Sequence, residues 1–550
     1  MKINENGFER HGMLLRKKIS ERIKVDFTEG MSIELSVDQQ IGEAESYQIC
    51  EEKNGWRITG ADEAGLYYGI GKFLHSAKWS ETEIFPKATK KVVTPACSFR
   101  AVYFAIHFYN WYQNASTEEL EQYMEELLLY GYNTVVCIIP IVNLNSFEDQ
   151  LFFDSVDKTR KIFGLAKKLG MKVGIIIGSQ GLKTTPKEVE GDYSYDLTGD
   201  IRGWHGKNVC PAKPGAMEYL KSIWNMKFKQ YTDIGLDYLI SWPYDEGGCG
   251  CSECRPWGAN GYCEIVDALY KEAVKYYPNI KYIVSTWLFD TPEDEGEYEG
   301  LYKRLKEDLA YVDCLMVDAH ADFPRYPLEH ELVKPIVNFP EISMWVLFPW
   351  GGRGANPLPK RFQGIWDSTK HIISGGMPYS EGMYEDISKV QCVGYYWEPE
   401  KNYRDILKEY ISYEYSEAVC EETLELMELI EENHVRLSEL KEPNYESALK
   451  AEKLATSVDG QLDVRAKKSW RWRILYIRAK LDRILFETYR NKYNGDKEAL
   501  KQVCRTTSEF LADNEEAQEL MQELCKFYHC VSDNGENEYT LPPVKDGIVL

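Results

Sequence analysis

The sequence predicts a (β/α)8 (TIM) barrel over residues 98–400, preceded by a small α+β domain, 1–97, and followed by an all-helical domain, 401–550. Three observations carry this. Between Phe99 and Glu398, apolar runs of strand length alternate with amphipathic segments of helix length. Before Cys97, short stretches of alternating polarity suit a separate small sheet, and after Arg404 strand signals fade. The chain has 550 residues, room for three units of roughly 150 residues or more, and a barrel of this kind takes about 250.

In the small unit, Ile23–Phe27, Ser32–Val37 and Ser46–Glu51 alternate as short strands, and Trp56–Gly60 adds another. Ala61–Ser76 has apolar residues at helical spacing, and Thr94-Pro95 reads as a joint. The barrel strands are then Phe99–His107, Thr134–Pro140, Val173–Gly178, Asp237–Trp242, Tyr282–Leu288, Cys314–Ala319, Ser343–Phe348 and Gly376–Ser380. Several are continuous apolar runs, as strands covered on both faces must be. The intervening helices include Thr117–Tyr130, Asp157–Leu169, Ala216–Tyr231 and Glu264–Tyr277. A doubly wound open sheet is the competing arrangement, but no Gly-rich phosphate loop follows a strand. In the last unit Leu424–Leu440, Tyr445–Ser457, Val464–Tyr493, Asp496–Asn514 and Glu515–Tyr528 read as helices, and the tail from Ser532 as extended. Trp470-Arg471-Trp472-Arg473 suits packing of its helix on the barrel.

Composition excludes several classes. Lys+Arg 65 against Asp+Glu 88 leaves a net charge of −23, a poor match to nucleic acid or an anionic membrane. No apolar run approaches the about 20 residues of a membrane helix, and the start lacks the basic-then-apolar order of a signal peptide. The expected address is cytoplasmic. Fourteen cysteines are too dilute for a disulfide scaffold, so most are expected as buried thiols. The 38 Tyr and 14 Trp suit a protein that stacks rings on sugar faces, and the expected partner is an oligosaccharide or glycoside.

Barrels of this type work at the C-terminal ends of their strands. Strand four ends Trp242-Pro243-Tyr244-Asp245-Glu246-Gly247-Gly248. Neighbours in a regular strand face opposite ways, so Asp245 and Glu246 both face the site only where the chain turns, and the two glycines permit that. The competing structural reading makes Asp245 a turn residue and Glu246 solvated surface. A carboxylate pair in a barrel mouth points to glycoside hydrolysis. The usual nucleophile position near the end of strand seven shows no acid in Ser343–Gly352. Either the base lies elsewhere or the substrate supplies its own nucleophile, as the carbonyl oxygen of a 2-acetamido sugar can.

Two stretches carry a family resemblance. Gly55-Trp56-Arg57-Ile58-Thr59-Gly60-Ala61-Asp62-Glu63-Ala64-Gly65-Leu66-Tyr67-Tyr68-Gly69 is similar to the end of the small domain that precedes the barrel in β-N-acetylhexosaminidases of glycoside hydrolase family 20. Ser98-Phe99-Arg100-Ala101-Val102-Tyr103-Phe104 resembles their first barrel strand. The resemblance implies that Arg100 grips sugar hydroxyls, Asp245 orients the acetamido group and Glu246 is the general acid, then the base toward water. Trp287, Trp345 and Trp350 would wall the subsite, with Tyr244 and Tyr379 beside them. Family 20 carries His-x-Gly-Gly-Asp-Glu, whereas here Trp-Pro-Tyr precedes the pair and the glycines follow, which indicates a divergent sister family. Activity would fall on terminal β-linked 2-acetamido sugars (GlcNAc or GalNAc) by substrate-assisted retaining catalysis.

Other strand-end residues are His107 and Trp111 after strand one, Asp318 and His320 after strand six, and Glu381 after strand eight. Glu381 or Asp318 as base, with Glu246 as acid, would give an inverting enzyme similar to microbial α-glucuronidases. A non-catalytic carbohydrate-binding protein is a further alternative. The run Cys249-Gly250-Cys251-Ser252-Glu253-Cys254 is a candidate for structural zinc, its fourth ligand being Cys263, Cys210 or His205. The competing reading is small buried thiols stiffening a loop. No cofactor is required by the proposed chemistry. The C-terminal helices either pack on the barrel or form a homodimer face.

Overall fold

The computed structural model describes the chain except residues 107–110, 140, 142–143, 193–206, 244–247, 291–295, 320–321, 344–354, 381–385, 435–443, 494–495, 497–513, 528–543, 546–547 and 550. Eight parallel strands close into a barrel: Phe99–Tyr103, Thr134–Ile138, Lys172–Gly178, Tyr238–Trp242, Lys281–Ser285, Cys314–Ala319, Ile336–Ser343 and Ile373–Gly376, the last resuming at Tyr379–Ser380. Strand one pairs with strand eight through Phe99↔Gly375, and strands six and seven close the ring through Leu315↔Ile336 to Ala319↔Pro340. Helices follow strands around the outside, giving the expected (β/α)8 barrel with flanking units.

Local chemistry sets the boundaries. Helix Thr117–Tyr130 begins at a capping box: the Ser116 hydroxyl accepts from Glu119 N at 3.2 Å and the Glu119 carboxylate accepts from Ser116 N at 2.8 Å. It ends at Gly131 with φ 110, a left-handed C-cap that only glycine adopts cheaply. An added Cβ there would meet the Trp397 indole at 2.1 Å.

The N-terminal unit holds strands Lys2–Asn4, Ser32–Val37, Tyr47–Glu52 and Gly55–Gly60 with helices Glu9–Ser20 and Glu63–His75. Ile23–Phe27 is not a strand. Ile23 N bonds back to Ile19 O at 3.0 Å and the Asp26 carboxylate accepts from Thr28 N at 2.8 Å, so this stretch is a helix end running into a turn. Strand seven also differs from expectation. It runs Ile336–Ser343 rather than beginning at Ser343. Pro340 and the polar Asn338 and Glu341 disguise it, and a register shift between Glu341 and Ser343 accommodates the irregularity.

A buried charge cluster joins the three regions. Arg471, on helix Trp470–Tyr493, pairs with Asp386 and, at 2.6 Å, with Glu126; Glu126 also takes Lys18 of the first helix at 2.9 Å. Trp472 of the same helix is fully buried against Tyr415. Arg471 and Trp472 of the Trp-Arg-Trp-Arg run thus pack inward, with Arg471 seating the helix on the barrel as expected. No helix among the described residues is long and apolar enough to cross a membrane.

Candidate functional site

Which side chains enter the barrel follows from register and alternation. The Ser241 hydroxyl meets Tyr262 Oη of the covering helix at 2.8 Å, so Ser241 points outward and Trp242 inward. Register across strands four to seven carries the same parity to Trp287, Asp318, Phe339 and Glu341. Tyr379, registered opposite Glu341, and Tyr103 complete the ring.

Ring contacts agree with this assignment. Trp242 lies 5.2 Å from Trp287 and 5.3 Å from Phe339, Phe339 is 4.8 Å from Tyr379, and Tyr379 stacks on Tyr103 at 5.0 Å. An aromatic layer therefore floors the C-terminal mouth, with two carboxylates, Asp318 and Glu341, on adjacent strands beside it. Glu341 is fully buried. Neither Glu341 nor Phe339 is among the sequence candidates, because they lie on strand seven ahead of Ser343; Trp242 ends the expected strand four but carries no motif that marks it. A pattern search tolerant of one proline in a strand would have found Glu341.

The loops above this floor are stitched together. After Trp287 the backbone takes left-handed conformations at Leu288 (φ 55) and Asp290 (φ 51), positions where non-glycine residues are held only by their surroundings. The Asp290 carboxylate accepts from Glu297 N at 2.9 Å and Tyr298 N at 3.1 Å. The Glu297 carboxylate accepts in return from Asp290 N at 2.9 Å and from Gly258 N, in the strand-four loop, at 3.0 Å. Trp257 Nε1 donates to Pro243 O at 2.8 Å, and a Cβ on Gly248 would meet the same indole at 2.6 Å. Both flanks of the segment carrying Asp245 and Glu246 are thus held by one buried tryptophan.

Tyr244, Asp245 and Glu246 lie outside the described residues, as do His107, His320, Trp345, Trp350, Glu381 and His205. Trp287, Asp318 and Tyr379 are brought together in the mouth. Trp111 is buried edge-on against Tyr112 and Tyr123. Arg100 requires a correction. Phe99 and Tyr103 take the inward positions of strand one, which leaves Arg100 outward and near the opposite end of the barrel. Its guanidinium donates to Cys97 O and Gly131 O at 2.7 Å and to Glu45 at 2.8 Å, between the rings of Trp397 (4.9 Å) and Tyr68 (5.3 Å). It rivets the small unit to the barrel and does not reach the mouth.

The cysteine cluster is more compact than its sequence spacing shows. Sulfurs of Cys210, Cys249, Cys251 and Cys254 all lie within 4.8 Å of one another. Cys263 is elsewhere, its thiol donating to Gly258 O at 3.3 Å.

The fold places the chain among (β/α)8-barrel proteins of a kind found in glycoside hydrolases. No protein-family model matches the sequence, and comparison with curated proteins yields no relative. Solved structures are similar at the level of fold. A family 89 glycoside hydrolase of Clostridium perfringens, solved with its substrate GlcNAc-α-1,4-galactose, aligns with TM-score 0.61 and 12% identity over 94% of this chain and 66% of that one. A family 115 4-O-methyl-α-glucuronidase with specificity for decorated arabinogalactans gives 0.59 and 12% over 96% and 75%. A family 20 exo-β-N-acetylglucosaminidase of Vibrio harveyi gives 0.50 and 11% over 74% and 72%. The chain thus spans about two thirds of the length of the first of these proteins.

Proposed function

We propose that this protein is a glycoside hydrolase acting on terminal β-linked 2-acetamido sugars, with Glu246 as general acid and Asp245 orienting the acetamido group. The observation that supports it best is the aromatic floor at the C-terminal mouth, to which Trp242 contributes three residues before Asp245 in the sequence. In this reading the acetamido carbonyl oxygen attacks the anomeric carbon as Glu246 protonates the departing oxygen. Asp245 accepts the amide N–H and stabilises the positive charge that develops on the ring formed. Glu246, now a carboxylate, takes a proton from water, which opens that ring with retained configuration. The GlcNAc-active fold neighbours lend support.

A second reading is favoured by Glu341. An inward carboxylate near the end of strand seven stands where a two-carboxylate glycosidase holds its nucleophile or base, and Glu341 would then serve with Glu246, with or without Asp318. An α-linked substrate, including a glucuronide, belongs to this reading.

The test compares matched aryl β-glycosides carrying a 2-acetamido or a 2-hydroxyl group, with an aryl α-N-acetylglucosaminide and an aryl α-glucuronide alongside. A strong preference for the β-acetamido substrate is expected. Glu246→Gln should lower turnover about 10²–10⁴-fold on poor leaving groups and much less on activated aryl glycosides. Asp245→Asn should slow the acetamido substrate while Glu341→Gln leaves it within a few fold. A loss in Glu341→Gln as large as in Glu246→Gln, or activity on the 2-hydroxyl or α-linked substrates alone, transfers the assignment to the second reading.

A further inference from the structure

We propose that Cys210, Cys249, Cys251 and Cys254 form a closed tetrathiolate zinc site that ties the loop after barrel strand three to the loop after strand four. The spacing of the sulfurs carries the proposal. Cys210 Sγ is 3.9 Å from Cys251 Sγ and 3.7 Å from Cys254 Sγ. A tetrahedron with Zn–S near 2.3 Å has edges of about 3.8 Å. A disulfide would need about 2.05 Å, and all four cysteines are free. Three of the four are buried and Cys251 is partly so, which suits a structural ion that leaves no position open for water.

Binding releases four protons and leaves a zinc–tetrathiolate of net charge −2. Cys210 is positioned by its own N–H to Val189 O at 3.0 Å, at the end of the ribbon Gln180–Gly181 with Lys207–Asn208. Gly250 N to Asp192 O at 2.6 Å draws the two loops together independently. The ion would cross-link residues about 40 positions apart, three residues beyond Glu246. The metal assignment is independent of the proposed reaction; only its role in bracing the acid-bearing loop rests on that reading.

The experiment uses the untagged full chain expressed with ample zinc. Elemental analysis should find one zinc per chain, released when a mercurial titrates four thiols. Exchange for cobalt should give the intense visible bands and near-ultraviolet thiolate charge-transfer band of a tetrahedral tetrathiolate. Cys210→Ser and Cys251→Ser should lower zinc affinity by more than the 10–100-fold typical of outer-shell changes, while Cys263→Ser keeps one zinc. Absence of metal, iron in place of zinc, a disulfide among the four, or full zinc retention in Cys210→Ser would each overturn the assignment, and the wild-type measurements decide it even if a variant fails to fold. Zinc present in a chain with no glycosidase activity would leave the metal site standing and remove the proposed reaction alone.

Discussion

Arg100 shows how a single residue's role turns on which way its strand faces. A motif resemblance put it in the sugar site, yet alternation places it outside the barrel, paired with Glu45 at its base. Arg100 is fully buried and Glu45 partly exposed, so removing the arginine should cost up to about 3 kcal/mol, the lower end for breaking a buried ion pair. We expect Arg100→Met to lower the urea midpoint by a corresponding amount while KM of the folded fraction is unchanged. A raised KM at unchanged stability would return Arg100 to the substrate. Glu341 is the converse case, a residue with no motif that tertiary position makes a candidate. Asp290 and Glu297, each accepting from the other's amide, are structural residues whose value lies in holding Trp287 and the strand-four loop in register.

At the scale of elements, packing of the small unit depends on one close approach. Gly71, on helix Glu63–His75, lies so near helix Thr117–Tyr130 that an added Cβ would meet Leu129 O at 1.9 Å. That atom is backbone and cannot swing away. Gly71→Ala should therefore destabilise by about 1–3 kcal/mol, although alanine favours helix by up to about 1 kcal/mol over glycine. A thermal shift in the stabilising direction would show that the two helices are less closely engaged. Elements with one clean period were legible in the sequence: helix Thr117–Tyr130 and strand Cys314–Ala319 match expectation to the residue. Strand seven was not, because a proline and two buried polar groups break its pattern, and these are tolerated only through the bulge and the neighbouring strands.

For the whole molecule, buried titratable groups couple stability to pH. Burial pushes His75 down to about 3, from an ordinary value of 6.5, against the stacked ring of Tyr130. The unfolded chain therefore takes up a proton that the folded one refuses, and stability present above pH 6.5 is lost as pH falls toward 3. At pH 5 this amounts to about 1–2 kcal/mol. Burial pushes Glu126 up, but Arg471 and Lys18 hold it down at about 2, so its contribution is lost below pH 4.5. Asp386, pushed up to about 6 by burial, acts in the opposite sense between pH 6 and 3.8. The comparison to make is wild type against His75→Phe by urea denaturation from pH 7.5 to 4.5. The variant should lose less stability on acidification, and parallel profiles would mean that His75 is protonated in the folded state.

By itself the sequence determined the barrel, its flanking units, the acidic pair after strand four and the cysteine run beside it. These are local patterns, periodicity and adjacency, and the physics that makes them acts over a few residues. Only the tertiary structure decided that Cys210 joins Cys249, Cys251 and Cys254 rather than Cys263, that Glu341 and Asp318 share a barrel mouth with Trp242 and Trp287, and that Arg100 leaves it. Those outcomes depend on strand register and inward or outward parity. A shift of one residue reverses that parity, and only the closed ring of eight strands fixes it.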